Sequence, residues 1–267
     1  MTKIRFIRGN YKLKAFSYIR KQFDNMVKKY KVDYYSFLGF ILFSVIVVFI
    51  WRTYYGYYIL YPFTIMGTWF HEMGHGVMSM IVGGEFKYLE IFNNGSGVAH
   101  SSYRDSDFYF NQNIALALVS AAGLFGPPVV GSILILMSKS FKKSKIILYI
   151  LSISMLISVA IWVRTPVGVI VILSLGAILL FISVKAKPMI QQFVVQIIGV
   201  MACVDTYKQI GYLYMNEINV GGEPGFSDTA RMAQRVGMTY SFWGTLILIL
   251  SFMILAYSLY LRNRKRI

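Results

Sequence analysis

The stretch PVGVIVILSLGAILLFISV, residues 166–184, contains no charged side chain and is long enough, as an α-helix, to cross a lipid bilayer. Comparable apolar runs recur along most of the chain, at residues 35–55, 63–82, 114–137, 146–163, 188–214 and 240–261. This pattern predicts an all-α polytopic membrane protein with about 6–7 transmembrane helices.

The composition agrees with a membrane location. Of the 267 residues, 57% are hydrophobic and only 14% are charged, whereas about a quarter of the residues of a soluble domain are charged. The apolar runs leave little sequence for a separate soluble domain. We therefore expect one polytopic membrane domain over residues 34–261, between a basic cytoplasmic N-terminal segment, 1–33, and a basic cytoplasmic tail, 262–267.

The formal charge of +16 raises the question of nucleic-acid binding. Many of the basic residues fall within 3–31 and 262–266, beside apolar segments, and no nucleic-acid recognition motif lies among them. The positive-inside rule explains this placement through a lipid bilayer with both termini in the cytoplasm, and we expect no nucleic-acid partner. A basic, cysteine-poor chain without a cleavable signal peptide fits a bacterial inner membrane.

The number of candidate spans conflicts with that orientation. Seven spans would place the termini on opposite sides of the membrane, although both ends are basic. The lysines within 139–145 and 185–187 fit a cytoplasmic location, so the conflict lies earlier in the chain. Either the segment around Gly123, Gly126 and Pro128 breaks into a re-entrant hairpin, or the segment bearing His71 does not cross completely.

Two stretches between the spans have polar, turn-forming sequences. Residues 83–107 alternate apolar and polar side chains around NNGSG, residues 93–97, which favours a short β-hairpin, although an ordinary interhelical loop is also compatible. Residues 216–234 form a polar, glycine-containing loop outside the membrane, and FSDTARMAQ within it has the pattern of a short capped helix.

The stretch FHEMGHGVMSM, residues 70–80, contains the candidate chemistry. On a helix His71 and His75 share a face and can bind one metal ion, while Glu72 lies about 100° around the helix and can reach a metal-bound water. Zinc suits imidazole ligands, and a nearby carboxylate can accept the proton of the activated water. Ionisable groups inside an apolar segment require partners. We therefore predict a zinc site at His71 and His75 with Glu72 as the catalytic base.

A catalytic zinc usually has a third protein ligand. Among the acidic residues, only Glu72 and Asp205 lie within long apolar runs, and their similar depth favours Asp205 as that ligand. Pairing of Asp205 with Lys208, one helical turn away, is the structural alternative. The rival ligands lie outside the spans: Asp228, His100 and Glu90.

Taken together, these motifs resemble the site-2 protease family of intramembrane zinc metalloproteases, and most closely its small bacterial branch without a PDZ domain. The similar elements are HExGH at 71–75, Gly83 and Gly84, Ala122 and Gly123, and the set Ser227, Asp228 and Ala230. The resemblance implies zinc ligands at His71 and His75, Glu72 as general base, and an aspartate ligand from a later helix. The usual Asp-Gly motif is replaced here by Asp205 and Thr206.

The expected activity is hydrolysis of peptide bonds in a transmembrane protein substrate. A substrate helix must unwind locally, and an edge within residues 85–102 can hold it by strand addition. Asn93 and Asn94 are candidate substrate-binding residues, although Asn-Asn-Gly more often forms a turn. The alternative is a non-proteolytic membrane metal-binding protein or metal transporter, in which Glu72 has no chemical role. A purely structural membrane protein would bind no metal.

Overall fold

A computed structural model describes residues 30–32, 34–104 and 108–266, so most of the predicted 1–33 segment lies outside the described residues. Of the described residues, 74% are helical. Its helices are α1 Tyr34–Trp51, α2 Tyr54–Ile59, α3 Tyr61–Ile81, α4 Gln112–Met137, α5 Phe141–Ile161, α6 Pro166–Lys185, α7 Pro188–Lys208, α8 Ile210–Leu213, α9 Asp228–Val236 and α10 Tyr240–Asn263.

The strands form three antiparallel pairs. These are β1 Tyr30–Val32 with β6 Arg264–Arg266, β2 Glu85–Ile91 with β3 Gly97–Ser102, and β4 Glu217–Val220 with β5 Glu223–Phe226. The β2–β3 pair is the hairpin predicted after the HExxH helix, and α9 is the short helix predicted within 216–234. Its N-terminus is capped by the Ser227 side chain, which accepts from the amide of Ala230.

The prediction of an all-α polytopic membrane protein is confirmed. Within the described residues, five helices are long and apolar enough to cross a membrane, namely α4, α5, α6, α7 and α10. Helix α1 is apolar along Ile41–Trp51, and α3, with its histidines and glutamate, is not among the five. Counting α1 as well gives six, the lower end of the predicted range of 6–7.

The two ends of the described part of the chain and several helix links meet at one face of the molecule, here called the basic face. Strand β1 pairs with β6, Lys139 Nζ donates to the carbonyl of Arg264 at 2.9 Å, and Arg262 Nε donates to Ser138 Oγ at 3.1 Å. The face therefore comprises the start of α1, the α4–α5 link, the α6–α7 link and the end of α10.

The other ends of these helices define the opposite face. There the ammonium of Lys208 lies 4.8 Å from the centre of the Trp51 ring, joining the end of α7 to the end of α1. Helix α1 ends at the opposite face and α4 begins there. The segment between them, α3 followed by the β2–β3 hairpin, therefore begins and ends at the same face. Helix α3 therefore does not add a crossing.

The β2–β3 hairpin lies along α3 and is fixed at the opposite face. Its Leu89 exchanges backbone hydrogen bonds of 2.9 and 3.0 Å with Trp162 and Arg164 in the α5–α6 link, and Ser101 Oγ donates to Ser79 Oγ on α3 at 2.9 Å. Of the two sequence-based alternatives, the incompletely crossing His71 segment agrees with this arrangement.

The other alternative is wrong, because α4 is one continuous helix through Pro127 and Pro128. Helix α4 packs closely on α3 and α7 through small residues. A Cβ added at Gly74 of α3 would lie 2.4 Å from the Ala122 carbonyl oxygen, and one at Gly131 would lie 2.6 Å from the Gly199 carbonyl oxygen. Small residues permit such close helix packing, which places α3 against the start of α4.

Candidate metal centre

The two histidines of the HExxH motif meet side by side on α3. Their Nε2 atoms are 3.1 Å apart, and the Nδ1 atom of His75 lies 2.8 Å from the carbonyl oxygen of Val119 on α4. If Nδ1 carries the proton and donates to this carbonyl, Nε2 keeps a lone pair for a metal. The ring lies directly over Gly123, where an added Cβ would be 2.2 Å from His75 Nε2.

A carboxylate from a distant part of the chain completes the group. Asp228 Oδ2 lies 3.1 Å from His71 Nε2 and 3.3 Å from His75 Nε2. Within the described residues, these three side chains form the one cluster of at least three His, Cys, Asp or Glu residues that can hold a metal ion, with one potential ligand atom from each within 4.8 Å of the others. Two imidazoles and one carboxylate match the ligand set of a catalytic zinc with one open position.

Asp228 is held in place by hydrogen bonds with the segment that follows α7. The Tyr212 hydroxyl donates to Asp228 Oδ2 at 2.9 Å and accepts from the Asp228 amide at 3.1 Å. The Thr229 hydroxyl donates to the carbonyl of Leu213 at 3.1 Å, and Ser227 donates to that of Met215. These bonds attach the beginning of α9 to residues 212–215, so a residue of a polar loop becomes buried beside α3.

The electrostatic surroundings keep Asp228 anionic. Burial by itself raises the pKa of a carboxyl group, but the charge of His75 and hydrogen bonds from His71 and His75 outweigh burial and hold the pKa of Asp228 well below its ordinary value. A metal-binding carboxylate must be deprotonated. The carboxylate is therefore already deprotonated, whereas the charged His75 imidazole that contributes to this effect must lose a proton before its Nε2 atom can bind a metal.

The structure does not bring Asp205, the favoured third ligand, to this group. Asp205 is 1% exposed, its Oδ2 accepts from Gln209 Nε2 at 2.6 Å, and its Oδ1 lies 3.4 Å from Lys208 Nζ. Its carboxyl group packs on Gly67, one turn before His71. Asp205 therefore has the pairing with Lys208 that was the structural alternative, whereas Asp228 lies beside the two histidines. This makes Asp228 the candidate for the third position that the geometry favours, because its loop folds inward.

The group formed by the side chains of His71, His75 and Asp228 is called the metal cluster from here on. The other two rival ligands also lie outside it. His100 Nε2 is 3.0 Å from Glu90 Oε2 on the β2–β3 hairpin, and the His100 ring stacks on Tyr88. This pair belongs to the hairpin itself.

Glu72 is buried beside the cluster, at 4% exposure. The backbone of Ala99 on β3 hydrogen-bonds to Glu72, and Gly97 lies so close that an added Cβ would be 2.9 Å from Glu72 Oε1. The hairpin therefore orients the carboxylate predicted to act as the base. A glycine at position 97 is required by this close approach.

Comparison with known proteins agrees with the motif and its geometry. The family model described as Peptidase M50B-like matches residues 40–258, most of the chain. The chain belongs to the Peptidase M50B-like family. Neither the curated proteins nor the solved structures give a match. The resemblance to site-2 proteases is thereby confirmed, and the family assignment implies a membrane metallopeptidase.

In this M50B-like protein the metal cluster lies in a cavity of about 760 Å³. Its walls are α3, the β2–β3 hairpin, residues 116–120 of α4 and the segment 209–235. The cavity therefore holds the candidate base and ligands together with several polar side chains and with β3, whose one strand partner among the described residues is β2. This combination can accommodate a water molecule and an extended peptide.

Asn93 and Asn94 lie outside this cavity, in a smaller neighbouring pocket at the hairpin tip. Asn94 Oδ1 accepts from the amide and hydroxyl of Ser96 at 3.0 and 2.7 Å, and the Asn93 carbonyl accepts from the Tyr61 hydroxyl at 3.0 Å. These contacts give both residues a role in the turn. Their binding of substrate stays a prediction.

Sequence reasoning missed Tyr212 as a residue of the site. It follows the apolar part of α7 and is 16 residues from Asp228, a separation without a recognisable spacing rule. Its ring also approaches His71, with centroids 6.2 Å apart. Only the folded arrangement of 212–215 against 227–229 reveals its contact with the cluster.

Proposed function

We propose that this protein is an intramembrane zinc endopeptidase in which His71, His75 and Asp228 bind Zn²⁺ and Glu72 is the general base. The observation that carries the proposal is the convergence of Asp228 on the two histidines of an HExxH motif. When bound, zinc supplies Lewis-acid activation of a water molecule and of the scissile carbonyl group.

The buried carboxylate of Glu72 accepts the proton of the attacking water and returns it to the leaving amine. Thr68 and the backbone of β3 border this carboxylate. The Tyr212 hydroxyl and the carbonyl of Val119 orient Asp228 and His75, so that the ligand atoms face the cavity beside Glu72.

The substrate in this proposal is a transmembrane protein within the lipid bilayer. Because a helical substrate has its amides internally bonded, it must unwind before its peptide bond reaches Glu72. Strand β3, which pairs with β2 and lines the cavity, is suited to hold the unwound segment by strand addition.

We also propose a bacterial inner membrane location with both termini in the cytoplasm. The association of β1 with β6 and the basic links at the same face support this orientation. In this proposal residues 34–261 form one polytopic protease domain, flanked by the cytoplasmic segments 1–33 and 262–267.

The test is the zinc content of detergent-purified protein, measured by elemental analysis after loosely bound metal has been removed. We expect one zinc per chain in the wild type, its loss in Asp228→Asn, and its retention in the isosteric control Asp205→Asn. A wild-type protein without zinc, or zinc lost from Asp205→Asn but kept in Asp228→Asn, would contradict the ligand set.

A second measurement separates a protease from a metal-binding or transport protein. Glu72→Gln should keep the zinc but lose hydrolysis of a fluorogenic peptide in detergent by about 10²- to 10⁴-fold, because the base is absent. Unchanged hydrolysis in Glu72→Gln would remove the catalytic role.

A further inference from the structure

Ser120 on α4 is a buried residue, 5% exposed, that lines the cavity of the metal cluster. Within the described residues, its hydroxyl group forms no hydrogen bond. The fully enclosed polar atoms without a partner are Asp205 Oδ1, the Tyr207 hydroxyl and Ser251 Oγ, so the Ser120 hydroxyl differs from them in having open space beside it. This hydroxyl group therefore faces the interior of the cavity.

The other hydroxyl groups that line the cavity already have hydrogen-bond partners. They belong to Thr68, Ser96, Ser101, Tyr103 and Tyr212. Several buried serines elsewhere on the helices donate to the backbone carbonyl three residues earlier, as Ser152, Ser158 and Ser183 do. Ser120 does not form this bond. Because a buried hydroxyl group without a partner is unfavourable, its partner is expected to come from outside the chain.

Ser120 lies beside His75, on the cavity wall formed by α4. The carbonyl oxygen of the preceding residue, Val119, is 2.8 Å from His75 Nδ1, and a Cβ added at Gly123 would lie 2.2 Å from His75 Nε2. Residues three apart on a helix have Cβ atoms about 5–6 Å apart. The Ser120 side chain is therefore about this far from the point where His75 approaches α4, which leaves space for one carbonyl group of a substrate.

Glu72 lies on the other side of the metal cluster. The backbone of Ala99 on β3 hydrogen-bonds to Glu72, whereas His75 contacts α4 through Val119. The metal cluster thus lies between the candidate base on the hairpin side and Ser120 on the α4 side. A peptide bond placed at the cluster can receive water from one side and a hydrogen bond to its carbonyl oxygen from the other.

We propose that the Ser120 hydroxyl donates a hydrogen bond to the oxygen of the scissile carbonyl group and stabilises the negative charge that forms there. This catalytic role rests on the proposed function of the same site. As the water oxygen bonds to the carbonyl carbon, an electron pair of the C=O bond moves to the carbonyl oxygen, and Glu72 takes the water proton. Ser120 keeps its own proton. The electron pair returns when the C–N bond breaks and the leaving amine receives the proton from Glu72.

The test compares Ser120→Ala with Ser132→Ala as a matched control. Ser132 is also buried on α4, but its hydroxyl lies 3.7 Å from Cys203 Sγ, and it does not line the cavity. In Ser120→Ala we expect kcat for the fluorogenic peptide to fall about 10- to 100-fold and KM to stay within about threefold, because the lost bond to a charged oxygen exists only in the transition state. Ser132→Ala should keep the kcat of the wild type. An unchanged kcat in Ser120→Ala, or a rise in KM alone, overturns the role of Ser120.

Two further measurements do not depend on turnover and separate catalysis from a structural role. Ser120→Ala should keep the zinc content and thermal midpoint of the wild type. It should bind a phosphinic peptide, whose tetrahedral group carries a charged oxygen, about 10- to 100-fold more weakly than the wild type does. A lower zinc content or thermal midpoint, or unchanged binding of the phosphinic peptide, contradicts the proposal. Failure of the proposed function is seen separately, as a wild-type protein without zinc or as unchanged hydrolysis in Glu72→Gln, and it removes this role as well.

Discussion

Replacing Tyr212 by phenylalanine tests how a loop residue becomes a metal ligand. The change removes one hydroxyl, which donates to Asp228 Oδ2 at 2.9 Å and accepts from the Asp228 amide at 3.1 Å. Burial raises the pKa of Tyr212 well above its ordinary value, so at neutral pH the hydroxyl is protonated and donates to the carboxylate. The ring and its packing against His71 remain.

The expected size of the effect follows from the type of hydrogen bond. A bond to a charged acceptor contributes about 1.5–3 kcal/mol, which corresponds to roughly a tenfold to hundredfold weaker affinity for zinc. Losses of this size are typical for residues that hydrogen-bond to metal ligands. We expect the weaker affinity to appear mainly as faster release of zinc, because Asp228 is less well held.

The assay is competition for zinc between the purified protein and a chromogenic chelator. Tyr214→Phe is the matched control, since the Tyr214 hydroxyl lies 3.0 Å from Thr245 Oγ1, away from the cluster. Replacement of zinc by Co²⁺ adds a visible spectrum that reports on ligand geometry, and it should change in Tyr212→Phe alone. An affinity within twofold of the wild type, with an unchanged Co²⁺ spectrum, would refute the role of this hydroxyl.

Two glycine substitutions test the close contacts around α3. Gly123→Ala places a Cβ 2.2 Å from His75 Nε2, so the imidazole ring must move and the zinc content should fall. The control is Gly39→Ala, whose added Cβ has no atom within 4 Å and should leave the zinc content unchanged. Gly67→Ala places a Cβ 2.7 Å from the carboxyl group of Asp205 and should lower the midpoint of thermal unfolding through a strain of about 1–3 kcal/mol, with one zinc still bound. Normal thermal stability in Gly67→Ala, or a full zinc content in Gly123→Ala, would contradict the respective contact.

Rules about neighbouring residues were sufficient for the membrane class and for the HExxH part of the candidate site. Residues four apart on a helix must share a face, so the proximity of His71 and His75 follows from the sequence alone. Length and hydropathy similarly predict the apolar helices, and the NNGSG turn predicts the β2–β3 hairpin. Each of these inferences depends on residues close together in the chain.

The remaining features depend on contacts between distant residues. Asp228 reaches the histidines because Thr229 and Tyr212 attach its segment to the end of α7, and no periodicity in a polar loop contains that information. The incomplete crossing of α3 could be left only as one of two alternatives, since the deciding facts are the pairing of β1 with β6 and the uninterrupted α4.

The segment formed by α3 and the β2–β3 hairpin begins and ends at one face, and this has a consequence for biogenesis. A helix bearing two histidines and a glutamate is not apolar enough to be among the five spanning candidates, and its polar groups would be costly in lipid without partners. Its partners, Val119 on α4 and Asp228 on α9, are both synthesised later than α3. The polar groups of α3 therefore remain without these partners until the later segments have been synthesised. The site can assemble only after translation has passed Asp228.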